Sequence, residues 1–188
     1  MKGENEIKKA IEGVGANIEK TLGEGIDGVS RDMLKGGSLP KDTLGMSDQM
    51  VEGIYGQAYR LYNSGKYREA VQLFRLLIML NATESKYTLG LAASFHMLKD
   101  YRHAVETYTL CAILDTESPV PHYHAADCFI QMGDLHSAIV TLDVAIKRAA
   151  SKPQYQVLKD RSLMTLESLK KEIGQRQKQA ISNLSPEG

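Results

Sequence analysis

Apolar positions after residue 50 follow helical spacing, and the pattern recurs along the chain. The segments YNSGKYREAVQLF (62–74), HMLKDYRHAVETY (96–108) and IQMGDLHSAIVTL (130–142) align without an insertion. Matching positions lie 34 residues apart: Gly65, Lys99 and Gly133; Tyr67, Tyr101 and Leu135; Ala70, Ala104 and Ala138; and Phe74, Tyr108 and Leu142. Such a period is typical of stacked helical hairpins that bury their faces against one another.

The fold prediction is therefore all-α, with three helix-turn-helix repeats at about 51–84, 85–118 and 119–152. A further amphipathic segment, 153–175, predicts a capping helix, and the whole forms a repeat domain at 47–175. Ser47, Asp100 and Asp134 stand where N-caps are expected. Residues 176–188 are expected to be a flexible tail.

The first 46 residues form a glycine-rich extension that nevertheless has helical spacing. Its apolar positions are Ile7, Ile11, Val14, Ile18, Leu22, Ile26, Val29 and Met33. This stripe predicts an amphipathic helix, whereas nine glycines in residues 1–46 favour a disordered tail. Both interpretations stay open. Gly36, Gly37 and Pro40 predict a linker or tight elbow at 35–47.

Composition narrows the class of protein. Lysine plus arginine equals aspartate plus glutamate at 23 each, so no net field attracts nucleic acid or an anionic membrane surface. Cys111 and Cys128 are too few for a disulfide framework, which favours a reducing cytosol. No signal peptide and no apolar run of membrane-spanning length is present. We therefore expect a cytoplasmic protein without stable membrane association.

Three tyrosines are the main candidates for binding. Tyr55, Tyr59 and Tyr62 share one face of a helix, while Ile54, Ala58 and Leu61 already occupy its packing positions. The tyrosines could be core, but this frame favours an exposed groove. The corresponding positions of the later repeats extend the predicted groove, which with the adjacent Tyr67 comprises Tyr55, Tyr59, Tyr62, Tyr67, Leu89, Ala93, His96, Tyr123 and Asp127. Tyr67 and Tyr108 are also explained as repeat core.

Other kinds of site are disfavoured. A clamp for terminal carboxylates needs lysine and asparagine where Tyr55 and Tyr59 stand. His124 and Cys128 share a helix face, but two ligands do not complete a metal site. Neither a nucleophile motif nor a phosphate-binding loop is present, so we expect no enzyme activity, no metal and no cofactor.

The 34-residue period with its small, aromatic and alanine positions resembles the tetratricopeptide repeat, which implies a solenoid with a concave groove. A narrower resemblance covers residues 31–170. MLKGGSL (33–39), the Tyr-x-x-x-Tyr-x-x-Tyr helix, LGL at 89–91 and HAADC at 124–128 resemble the class II chaperones of bacterial type III secretion. That family holds hydrophobic translocator subunits in the bacterial cytoplasm before export.

The resemblance implies that an extended translocator segment with spaced proline and leucine anchors binds the groove, most directly at Tyr55, Tyr59, Tyr62 and Leu89. It also implies a homodimer through the N-terminal helix, although the stripe could instead fold back on its own repeats. The alternatives are a generic tetratricopeptide scaffold or a regulatory subunit. Residues 1–30 lie outside the resemblance.

Overall fold

The computed structural model of the chain describes residues 40–184. The N-terminal stripe, and with it the predicted dimerisation helix, lies outside the described residues. Within residues 40–184 the secondary structure is entirely helical. The eight α-helices are α1 (Pro40–Thr43), α2 (Asp48–Asn63), α3 (Tyr67–Leu80), α4 (Ser85–Met97), α5 (Tyr101–Leu114), α6 (Val120–Gln131), α7 (Leu135–Ala149) and α8 (Gln156–Leu184).

Helix starts follow the capping residues seen in the sequence. The Ser47 hydroxyl accepts a hydrogen bond from the Met50 N–H at the start of α2. The Asp134 carboxylate accepts from the Ser137 N–H at the start of α7, and Asp100 does the same at α5. The three predicted caps are confirmed, and each satisfies an N–H that the helix leaves without an intrahelical acceptor.

The three turns inside the helical hairpins, between α2 and α3, α4 and α5, and α6 and α7, use one backbone conformation, 34 residues apart. Gly65, Lys99 and Gly133 have φ values of 77°, 61° and 78°, in the left-handed region. At the first turn, Gly65 N–H donates to the Tyr62 carbonyl and Lys66 N–H to the Leu61 carbonyl, and the other two turns repeat this pair of bonds. This is a Schellman motif, which ends a helix and reverses the chain. Lys99 adopts it without the freedom of glycine.

The chain divides into two compact units after Ser94. In the first unit α3 packs against α2 and α1. Ile54 and Ala58 of α2 are buried, as are Ala70, Phe74 and Leu77 of α3. The small alanines let the two helix backbones approach closely, and the larger side chains fill the space beside them.

In the second unit α5 packs on α6, α6 on α7, and α7 on α8. One core cluster joins the last three helices and consists of Ala126, Leu135, Ala138, Leu142, Leu166 and Leu169. Leu135 and Leu142 stand at repeat positions on α7, whereas Leu166 and Leu169 belong to α8. Helix α8 therefore covers the apolar face of the last repeat. The capping role predicted for this segment is observed.

Two boundaries differ from the sequence prediction. The one-turn helix α1 lies inside the expected linker, where Pro40 fixes a φ suited to the first helical position. Helix α8 continues to Leu184, past the expected end near residue 175. The single glycine there, Gly174, costs only about 1 kcal/mol in a helix interior, and good helix formers surround it.

Candidate functional site

A pocket of about 180 Å³ lies in the first unit, between α2 and α4. Its lining residues are Tyr55, Tyr59, Tyr62, Phe74, Lys86, Leu89, Gly90 and Ala93. We call it the tyrosine pocket. Five of these eight residues belong to the groove set expected from the sequence, and the pocket brings them together.

The tyrosines of α2 give the pocket an accessible aromatic wall. The rings of Tyr55 and Tyr59 are stacked with centres 6.4 Å apart. Tyr59 is 53% exposed, and Tyr55 and Tyr62 are half-buried. By contrast, Ile54 and Ala58 on the adjoining face are almost fully buried. The helix therefore separates a packing face from a tyrosine face that is open to a ligand.

Tyr67 lies beside the pocket rather than in its lining. Its ring meets that of Tyr62 at 64°, with centres 5.5 Å apart. Burial, followed by the neighbouring Tyr67 and Tyr59, raises the pKa of Tyr62, so its hydroxyl is neutral at physiological pH. The contact between the two rings shows that Tyr67 packs against Tyr62 and supports its orientation in the lining.

Gly90 and Phe74 shape the pocket, and the sequence analysis did not assign them to it. A Cβ atom at position 90 would lie 2.3 Å from Cε1 and 2.4 Å from Cζ of Phe74. The phenyl ring therefore occupies the space that a side chain at position 90 would need. Only glycine fits there without a shift of the ring. The LGL step at 89–91 is a sequence motif, but its role in this contact depends on the approach of α3 to α4 and cannot be predicted from spacing.

Lys86 is the third lining residue that was not predicted. Its Nζ atom donates a hydrogen bond to Glu52 Oε1, and the same atom lies 4.8 Å from the centre of the Tyr55 ring. The hydrogen bond to Glu52 raises the pKa of Lys86, with burial opposing the shift. The pocket lining thus includes one protonated ammonium group, whose charge is paired with that of Glu52.

The remaining predicted residues belong to the second unit, where they form a polar and aromatic cluster. His96 Nε2 lies 3.0 Å from Asp127 Oδ2, and His96 Nδ1 lies 3.5 Å from the Tyr108 hydroxyl oxygen. Tyr123 meets His124 edge-on, with ring centres 5.3 Å apart. Tyr108 is 1% exposed, so it is core as the repeat pattern predicts.

The candidates for metal and thiol chemistry are located in the interior of the second unit. Burial raises the pKa of Cys128 to about 12, and that of Cys111 to about 11, so both are neutral thiols. Burial, with a smaller contribution from His96, lowers the pKa of His124. Within residues 40–184 no group of three or more His, Cys, Asp or Glu side chains is arranged to hold a metal ion.

Comparison with known proteins decides the family. The tetratricopeptide-repeat model matches residues 51–82 and 85–117. Low calcium response locus protein H of Yersinia pseudotuberculosis is 34% identical over 137 residues, which cover 73% of this chain and 82% of that protein. The chain belongs to the class II chaperones of type III secretion. Chaperone protein SicA of Salmonella typhi is 28% identical over 74% of this chain and 82% of its own length.

Solved structures of this chaperone family have the same fold. SycD of Yersinia enterocolitica in complex with a peptide of the translocator YopD has a TM-score of 0.65 and 33% identity, covering 67% of this chain and 96% of SycD. PcrH of Pseudomonas aeruginosa, bound to the chaperone binding region of PopD, has a TM-score of 0.66 and 32% identity, covering 68% of this chain and 96% of PcrH. Among the helices between residues 40 and 184, none is long and apolar enough to cross a membrane.

Proposed function

We propose that this chaperone binds an extended, hydrophobic segment of a translocator protein in the tyrosine pocket. The bound segment stays separated from other copies and from membranes until it is handed over for export. Tyr55, Tyr59, Tyr62, Leu89 and Ala93 would contact the segment. The prediction that His96, Tyr123 and Asp127 contact it as well stays a prediction.

The observation that carries the proposal is the tyrosine face of α2. A row of partly exposed aromatic rings in a concave pocket is typical of a surface that binds a partner. Tyrosine suits such a site because its ring buries a large apolar area with few rotatable bonds, and its hydroxyl stays hydrated when the site is empty. The peptide complexes of SycD and PcrH support a translocator as that partner.

The mechanism follows from competition between contacts. Apolar side chains that drive a translocator to self-associate or to insert into a membrane are occupied while they lie against the chaperone. Binding in the pocket needs no chemical step, and release follows when the client unfolds or is displaced.

Co-expression tests this function. The translocators of the same type III system are expressed with the wild-type chain, with Tyr59→Glu and with Met79→Glu. Met79 is a matched control because it is 68% exposed on α3 and does not line the pocket. A carboxylate at position 59 would have to be buried by the client, which is strongly unfavourable.

We expect the translocator to be recovered as a complex with the wild-type chain and with Met79→Glu, and to be insoluble with Tyr59→Glu. A translocator that is insoluble with the wild-type chain contradicts the chaperone function. Full recovery with Tyr59→Glu contradicts the pocket assignment and favours a general scaffold surface elsewhere.

A further inference from the structure

Lys86 is the charged member of the tyrosine pocket lining, and its contacts bring two helices together. The Nζ atom lies 4.8 Å from the ring centre of Tyr55 and 5.4 Å from that of Tyr87. The same atom donates to Glu52 Oε1. Because Glu52 and Tyr55 are on α2 while Lys86 and Tyr87 are on α4, the ammonium group joins the two helices at one end of the pocket.

Tyr55 is the ring on which the contacts of the pocket converge. Besides Lys86 it contacts Tyr59 in a stacked arrangement, Phe74 at 6.3 Å edge-on, and Tyr87 at 5.6 Å. The face of an aromatic ring carries partial negative charge, so a cation above it is attracted and holds the ring in place. The orientation of Tyr55 therefore depends on the ammonium group as well as on its aromatic neighbours.

The aromatic contacts of Lys86 matter more here than its ion pair. The side chains of Lys86 and Glu52 are 36% and 54% exposed, and pairs at that exposure contribute little because water screens them. The ring of Tyr87, in contrast, is buried at 3% exposure and offers a fixed surface. Removing the Glu52 charge should leave the cation between its two rings.

We propose that Lys86 is a positioning residue for Tyr55: its cation fixes the ring that forms the pocket wall and thereby sets the affinity for the client. The effect on affinity rests on the proposed function, whereas the effect on the ring does not. A purely structural role of Lys86 would instead appear as a loss of folding stability with no specific change at Tyr55.

Three variants separate the interactions. Lys86→Met keeps an unbranched apolar stem without the charge, Lys86→Arg keeps the charge, and Glu52→Gln removes the carboxylate charge alone. Affinity is measured with a fluorescein-labelled peptide of the PopD chaperone binding region. In parallel, each protein is labelled with 3-fluorotyrosine and studied without peptide by ¹⁹F NMR, with the Tyr55 signal assigned by its absence in Tyr55→Phe.

For Lys86→Met we expect a shifted Tyr55 signal and an affinity about fivefold lower, because the client must then order a ring that the cation no longer holds. The melting temperature should fall by a few degrees at most, as the loss of two cation–π contacts within the protein predicts. Lys86→Arg and Glu52→Gln should each stay within about twofold of wild-type affinity on the same grounds. An unchanged Tyr55 signal in Lys86→Met, or an equal loss of affinity in Lys86→Arg, overturns the proposal. If the wild-type chain binds neither this peptide nor the translocators of its own type III system, that result counts against the proposed function, and the Tyr55 signal still decides the role of Lys86.

Discussion

Substituting Gly90 by alanine tests the packing on which the tyrosine pocket depends. The added Cβ would lie 2.3 Å from the Phe74 ring, which is itself 1% exposed. Carbon atoms in van der Waals contact are about 3.5 to 4.0 Å apart, so the ring must move by roughly 1 Å or more. The open space beside the ring is the pocket, and the displaced ring would narrow it.

Two opposing effects determine how much Gly90→Ala changes the free energy of unfolding. Alanine is favoured over glycine in a helix interior by about 1 kcal/mol, while overpacking a tight core costs about 1 to 3 kcal/mol. Gly53→Ala in α2 is the matched control, because a Cβ there meets nothing within 4 Å. We therefore expect Gly53→Ala to stabilise the protein by up to about 1 kcal/mol, and Gly90→Ala to be less stable than Gly53→Ala by about 1 to 3 kcal/mol.

Urea unfolding followed by circular dichroism at 222 nm measures both variants, and fluorescence titration of the labelled PopD peptide measures the pocket. In the double variant Gly90→Ala/Phe74→Leu the smaller side chain relieves the overlap, so the two substitutions should be less than additive. A Gly90→Ala protein as stable as Gly53→Ala, with unchanged peptide affinity, would refute the close packing described here.

Two further predictions concern the second unit. Lys99→Gly should stabilise the protein by about 0.5 to 1 kcal/mol, because glycine removes the left-handed strain but adds freedom to the unfolded chain. Urea unfolding should show this gain, and Gly133→Ala should change the stability in the opposite direction. A Lys99→Gly protein that is less stable than the wild type would contradict the prediction. Since burial lowers the pKa of His124, the folded protein binds fewer protons at this site than the unfolded chain, and the stability contributed there is lost as pH falls below about 6.5. His124→Phe should therefore reduce the fall in melting temperature between neutral and mildly acidic pH, and an unchanged fall would show that other groups cause it.

The repeat period predicted most of the fold because several helix boundaries are determined by local chemistry that recurs. Asp100 and Asp134 accept hydrogen bonds at the helix starts, and the positions of Gly65, Lys99 and Gly133 end the preceding helices. Where no such signal exists the prediction was wrong: α8 extends to Leu184, because Gly174 alone is too weak to end a helix.

The tyrosines of the pocket could be predicted because side chains four and three residues apart share a helix face. Phe74 and Gly90 could not, since their contact depends on the distance between two helices. Lys86 was missed for a different reason. A lysine near a helix start is usually solvated, and its place over the Tyr55 ring follows only from the three-dimensional approach of α4 to α2.

The central claim is that the client lies against the tyrosine face of α2. Calorimetric titration of the PopD chaperone binding region into the wild-type chain, Tyr59→Glu and Met79→Glu tests it most directly, with thermal melts of all three proteins. We expect at least a tenfold loss of affinity for Tyr59→Glu, or about 1.4 kcal/mol, wild-type affinity for Met79→Glu, and similar melting temperatures. Equal affinity for the two glutamate variants would contradict the claim, and a Tyr59→Glu chain that no longer folds would show that the tyrosine face is core.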